Sequence, residues 1–104
     1  MIQVLYFEGC PNRDATVALA RNVLSALVMS EEIEEVEVRD QEDAERLRFP
    51  GSPTVRVNGV DIEPDIYSRT HFALACRTYG TSGVPPRELL VVALEHASGK
   101  QSRP

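Results

Sequence analysis

Two cysteines carry most of the chemistry this chain is equipped for. Cys10 sits in Tyr6-Phe7-Glu8-Gly9-Cys10-Pro11-Asn12-Arg13, and Cys76 sits in Cys76-Arg77-Thr78-Tyr79. A thiolate attacks disulfides and binds soft metals. Cys10 follows an apolar run, Ile2 to Phe7, that stops at Gly9, and a helical pattern comes after it. Pro11 suits the first position of that helix, because its missing N–H would be unpaired there anyway. Cys10 then stands beside unpaired N–H groups and the positive end of a helix dipole, a setting that favours the thiolate. Arg13, across the first turn, adds to the effect, and Asp14 opposes it. The other reading of Cys10 is a small buried hydrophobe.

The elements that must position these thiols are legible as patterns. Ile2 to Phe7 is a nearly continuous apolar run, as expected of a strand buried on both faces. Pro11 to about Val28 reads as a helix whose Val17, Ala20, Leu24, Leu27 and Val28 face the sheet. After a polar, acidic turn, Ile33 to Arg39 alternates as a second strand, and strand–helix–strand implies a right-handed parallel crossover. Asp40 caps a short helix through Leu47, with Glu42 and Asp43 in its first turn. That helix ends before Phe49-Pro50-Gly51. Asn58-Gly59 joins Thr54–Val57 to Val60–Ile62 as a hairpin. The last helix runs from Pro86 to about His96, with Leu89, Leu90, Ala93 and Leu94 as its apolar stripe and Gly99 just past its end. Residues 1–99 read as a single domain and 100–104 as a flexible tail.

A strand, then Gly9-Cys10-Pro11-X-X, then a helix resembles the active-site turn of the thioredoxin-like superfamily. Arg13 stands where that family carries its second cysteine, so the motif is monothiol, as in some glutaredoxin-like and peroxiredoxin-like relatives. Ser52-Pro53-Thr54-Val55 resembles the cis-proline that opens the family's third strand. The resemblance implies a cis bond at Pro53 lying against Cys10, with the adjacent backbone free to pair with an extended substrate. Pro53 and Thr54 would then position that substrate, together with Pro11 and Arg13. An ordinary trans proline leading into a strand is the alternative. The implied fold is α/β, thioredoxin-like, β-α-β-α-β-β-α, with an extended segment between the last strand and the C-terminal helix.

That segment, Glu63 to Val84, holds Tyr67, His71, Phe72, Cys76, Arg77 and Tyr79. A long loop of such content is often functional. The fourth strand returns the chain to the Cys10 end, so Cys76 is a candidate resolving thiol, with Arg77 and Tyr79 lining the same surface. A disulfide would require the two Cα atoms within about 7 Å. Packing of Cys76 as a small apolar residue is the alternative. Cys10, Cys76 and His71 would make a soft-metal set, but their spacings match no standard zinc pattern, so no metal or other cofactor is assigned. Cys76-Arg77-Thr78-Tyr79 followed by Gly83-Val84-Pro85-Pro86 is similar to small bacterial thioredoxin-like proteins, some labelled as related to organomercurial (alkylmercury) lyases. That similarity implies thiol chemistry on mercury.

Composition narrows the partners. The chain has 104 residues, 42% apolar and 26% charged, with a formal net charge of -5. It shows no basic cluster of the kind nucleic-acid binding needs, and no apolar run long enough to span a bilayer. Two cysteines without a signal-peptide pattern suit a reducing cytoplasm. Three functions follow as expectations. One is a thiol–disulfide redox protein acting on a low-molecular-weight thiol or a protein disulfide. The second is a soft-metal, mercury-binding protein. The third is a thioredoxin-like interaction module without turnover.

Overall fold

In a computed structural model, which describes residues 1–68 and 71–98, the chain forms a four-stranded mixed sheet and three helices. The elements are β1 (Ile2–Tyr6), α1 (Arg13–Ala26), β2 (Ile33–Glu37), α2 (Gln41–Arg46), β3 (Thr54–Val57), β4 (Val60–Asp61) and α3 (Arg87–Ser98). The strand order is β2-β1-β3-β4. β1 and β2 are parallel, from Ile2 opposite Ile33 to Tyr6 opposite Glu37. β3 lies antiparallel to β1, with Leu5 opposite Thr54, and β4 is antiparallel to β3. The element order and strand directions agree with the sequence pattern. Gly99 and the proposed tail, 100–104, lie outside the described residues. Among the described residues no helix is long and apolar enough to cross a membrane.

β1 is apolar throughout because both of its faces are covered. Ile2 and Val4 pack with Val17, Ala20, Val23 and Leu24 of α1, Val55 and Val57 of β3, and Leu90 and Leu94 of α3. Leu5 points the other way and packs with Val38, Ala44 and Phe49 beneath α2. Burying one such side chain contributes about 1.5–3 kcal/mol, so both layers are needed to hold the central strand. β2, by contrast, lies at the sheet margin, and Glu34, Glu35 and Glu37 are exposed.

The helix ends follow from local hydrogen bonding. Asp40 caps α2, its carboxylate accepting from the Asp43 N–H at 2.8 Å. Asp43 reaches back to the Arg39 N–H at 3.3 Å. α1 ends at Ala26, two residues before the expected end. The Met29 N–H bonds the Leu24 carbonyl and the Val28 N–H bonds the Ser25 carbonyl, a Schellman closure. Val28 sits at its left-handed position, with φ 54°, and is 91% exposed. The placement of Val28 on the buried face is therefore corrected: the closure turns it outward. Arg48 ends α2 in the same way, with φ 53°, and Phe49 follows as a fully buried anchor. The Asn58-Gly59 turn has positive φ at both residues, 52° and 84°, as a type I′ hairpin requires.

Candidate functional site

The Cys10 turn is built where β1 leaves the sheet. The Cys10 N–H donates to the Phe7 carbonyl at 3.2 Å, and the Arg13 N–H reaches the Cys10 carbonyl at 3.5 Å. Cys10 is a half-buried free thiol. The helical ladder begins at Asn12, whose carbonyl accepts the Thr16 N–H at 3.1 Å and the Thr16 hydroxyl at 2.7 Å. Asn12 is thus the N-cap, and Pro11, exposed, lies outside the helix instead of at its first position. The turn from Cys10 to Arg13 takes up the residues that the sequence assigned to the first helical turn. Arg13 does not stand free beside the thiol. Its guanidinium bonds Glu35 at 2.8–2.9 Å and lies 3.7 Å over the Tyr6 ring, and the Glu35 hydrogen bond raises its pKa.

The Pro53 loop lies next to this turn. The Ser52–Pro53 bond is cis, as expected from its place before β3. The Phe7 N–H points at the Ser52 hydroxyl, 3.4 Å away. One residue, Phe7, therefore links the Cys10 amide to the residue preceding the cis-proline.

The segment after β4 packs onto that loop and corrects several expectations. Ser52 forms a parallel bridge with Cys76. Its N–H donates to the Ala75 carbonyl at 2.8 Å and its carbonyl accepts the Arg77 N–H at 2.9 Å. The backbone beside Pro53, expected to be open to an extended substrate, is already paired with the chain itself. Gly51 permits this approach. Its φ is +137°, and a Cβ there would stand 2.9 Å from the Arg77 Cβ and 3.1 Å from the Ala75 carbonyl. Farther along, Gly83 packs against the side chain of Asn12. The segment thus touches both the Pro53 loop and the start of α1.

Arg77 and Tyr79, expected on the surface over the thiols, are interior. Arg77 is 4% exposed and forms a two-pronged pair with Asp61 at 2.8 Å on each prong. It also donates to Glu63 and to the Thr54 hydroxyl, both at 3.0 Å. Burial alone would lower its pKa, but the hydrogen bonds and charge of Asp61, with Glu63, outweigh burial and raise it. The guanidinium lies 4.5 Å over the Tyr79 ring. The Tyr79 hydroxyl donates to the Pro53 carbonyl at 2.6 Å, and burial pushes its phenol pKa up. Thr54 is buried as well, its hydroxyl donating to the Gly51 carbonyl at 2.6 Å. Pro53, Thr54, Arg77 and Tyr79 accordingly hold the loop from within, and none offers a substrate a free surface. Asp61, which the sequence did not single out, is the centre of this network. Its only sequence signal is an acid directly after a hairpin, with an arginine much farther along.

Cys76 is an exposed free thiol on the segment paired with Ser52. Both cysteines therefore belong to the same end of the sheet, one on each side of the Phe7–Ser52 link. Among the described residues no group of three or more His, Cys, Asp and Glu side chains could hold a metal ion, so His71 does not complete a set with the cysteines. A cleft of about 230 Å³ opens beside this region, lined by Phe7, Glu8, Glu37, Val38, Arg39 and Leu74. Compared with protein-family models, curated proteins and solved structures, the chain matches none.

Proposed function

We propose that this is a thiol–disulfide exchange protein of thioredoxin-like topology, with Cys10 as the attacking thiol. The observation that carries the proposal is the placement of a half-exposed Cys10 at the turn between β1 and α1, tied through Phe7 to Ser52 before the cis-proline. The β2-β1-β3-β4 order, with β3 antiparallel to β1, supports the topology.

In this reading the Cys10 thiolate attacks one sulfur of a disulfide RSSR. A Cys10–SR bond forms, the S–S bond breaks, and RS⁻ leaves with the electron pair and takes up a proton. If Cys76 resolves the adduct, its thiolate attacks the Cys10 sulfur, a Cys10–Cys76 bond forms, the remaining RS⁻ leaves, and two molecules of an external thiol then reduce that bond. If an external thiolate R'S⁻ resolves it, attack falls on the substrate sulfur, RSSR' forms and the Cys10 thiolate leaves, so in both routes the electrons come from external thiol. The exposure of Cys76 makes it accessible to this step.

Incubation with a small disulfide, followed by mass spectrometry of a non-reduced digest, tests the assignment. Cys76→Ser carries the adduct on Cys10, wild type carries that adduct or its Cys10–Cys76 product, and Cys10→Ser forms neither. Full disulfide turnover by Cys10→Ser overturns the reading. A Cys10–Cys76 disulfide after mild oxidation assigns resolution to Cys76, and adducts that persist on Cys10 with Cys76 reduced assign it to an external thiol.

A further inference from the structure

The cleft beside the Cys10 turn has no part in the exchange chemistry above, and its walls have a definite character. Its apolar lining residues are Phe7, Val38 and Leu74, of which Val38 is 1% exposed and Leu74 40%. Three charged side chains stand at its rim: Glu8, Glu37 and Arg39. Arg39 shares the Asp43 carboxylate with Arg46: its Nε stands 3.5 Å from Asp43 and Arg46 stands 2.9 Å away, so Arg39 is only partly compensated. Glu8 and Glu37 have no ion-pair partner among the described residues. The two carboxylates outnumber the one cation among the lining residues, so the cleft carries a net negative field beside its apolar residues.

Neither cysteine lines the cleft, but residues that lead into both of them do. Glu8 is two residues before Cys10, and the Phe7 carbonyl accepts the Cys10 N–H. Leu74 is two residues before Cys76. At about 230 Å³ the cleft is smaller than the roughly 300–1,000 Å³ of sites that enclose drug-sized ligands, so it fits a fragment of a substrate.

We propose that the cleft selects the cationic arm of a small disulfide: a primary ammonium on a short carbon chain, of the kind an aminothiol disulfide carries. The assignment rests on Cys10 being the attacking thiol. The apolar stem lies against Phe7, Val38 and Leu74, and the ammonium faces Glu8 and Glu37. The arm held in the cleft presents its sulfur to Cys10, the Cys10–S–R bond forms, and the other aminothiolate leaves. An anionic disulfide meets repulsion from the same two carboxylates.

The test uses the full-length Cys76→Ser protein, so that one thiol reacts. Rates of adduct formation are measured by mass spectrometry with cystamine, hydroxyethyl disulfide and dithiodiglycolate. Each rate is normalised to that of 2-mercaptoethanol with the same disulfide. The expected order is cationic, neutral, anionic, with the first exceeding the last by about tenfold at low salt and less at high salt. Glu8→Gln with Glu37→Gln should bring that ratio down to about twofold. Equal rates, anionic preference, or a ratio that the double variant leaves unchanged overturns the proposal. Failure of the exchange reading looks different: no disulfide of any charge modifies Cys10. The selectivity is then read in Cys10→Ser by NMR. Cystamine should shift the Val38 and Leu74 methyl signals while dithiodiglycolate leaves them in place. Unmoved signals overturn the selectivity.

Discussion

The hydroxyl of Tyr79 donates to the carbonyl of Pro53 at 2.6 Å, and the contact is buried. These residues are 26 positions apart in the chain. The bond fixes the cis-proline loop from a segment that the sequence suggested would lie over the surface.

Tyr79→Phe removes that donor and leaves a buried carbonyl without a partner. The expected loss of stability is about 1–3 kcal/mol, read from urea unfolding. Tyr67→Phe, at a partly exposed ring, serves as the control and should change stability little. Equal effects in the two variants would contradict the bracing role.

Asp61→Asn leaves the Arg77 guanidinium buried with only part of its negative charge compensated. Breaking a buried pair of this kind costs about 3–5 kcal/mol. Thermal unfolding should show the loss, and it should exceed that of Glu63→Gln, because Glu63 is the more exposed partner.

Val28→Gly should stabilise the protein. A β-branched residue at φ 54° is strained, and Val28 at 91% exposure has little apolar contact to lose. Relief of the left-handed conformation, less the entropy of glycine, leaves a gain of about 0.5–1 kcal/mol, or about 3–6 °C in Tm. A lower Tm would show that the valine side chain has a packing role.

Gly51→Ala should separate the Pro53 loop from the segment beyond it. A Cβ at this position meets the Arg77 Cβ and the Ala75 carbonyl, and φ of +137° is costly for any other residue. Hydrogen exchange at the Ser52 and Arg77 amides should accelerate together, because each bonds across the same bridge. Protection at both amides as strong as in wild type would sink the idea.

Acid dependence should include a contribution from Asp43. Its pKa lies below the ordinary 3.8, first because of the Arg46 hydrogen bond and next because of the Arg39 N–H. A carboxyl whose folded pKa is depressed adds stability above its unfolded value and loses it as pH falls through the folded value. Asp43→Asn should therefore be less stable than wild type at about pH 6, with the difference closing as pH falls through the depressed folded value. An unchanging difference across that range would assign the effect to something other than the charge.

The parts legible in the sequence are those fixed by neighbours in the chain. Asp40 caps α2, Asn58-Gly59 turns the hairpin, and Pro53 leads into β3, each through chemistry within a few residues. Cys10 likewise stands between β1 and α1, where the apolar run and the helical pattern on either side of it meet, although the ladder starts at Asn12 and not at Pro11. Helical spacing alone put Val28 on the buried face, because periodicity carries no signal for a Schellman closure. Arg77 reads as a surface residue by type, and its burial depends on meeting Asp61 and Glu63, 16 and 14 positions away. Pairing of Ser52 with Cys76 is also a tertiary event, for which residues 75–77 show no strand pattern.

That bridge also bears on how the molecule keeps company with its own copies. β4 pairs β3 at only two positions, Val60 and Asp61, and Ile62 adds one hydrogen bond to Val55. Without residues 75–77, the Ser52 amide and carbonyl would extend a bare margin from which another chain could template a strand. The Ala75 and Arg77 bonds close that margin. At the opposite margin, β2 displays Glu34 and Glu37, whose like charges repel a neighbouring β2, while Glu35 is paired with Arg13. The segment that braces the proline loop is thus also a guard against edge-to-edge aggregation.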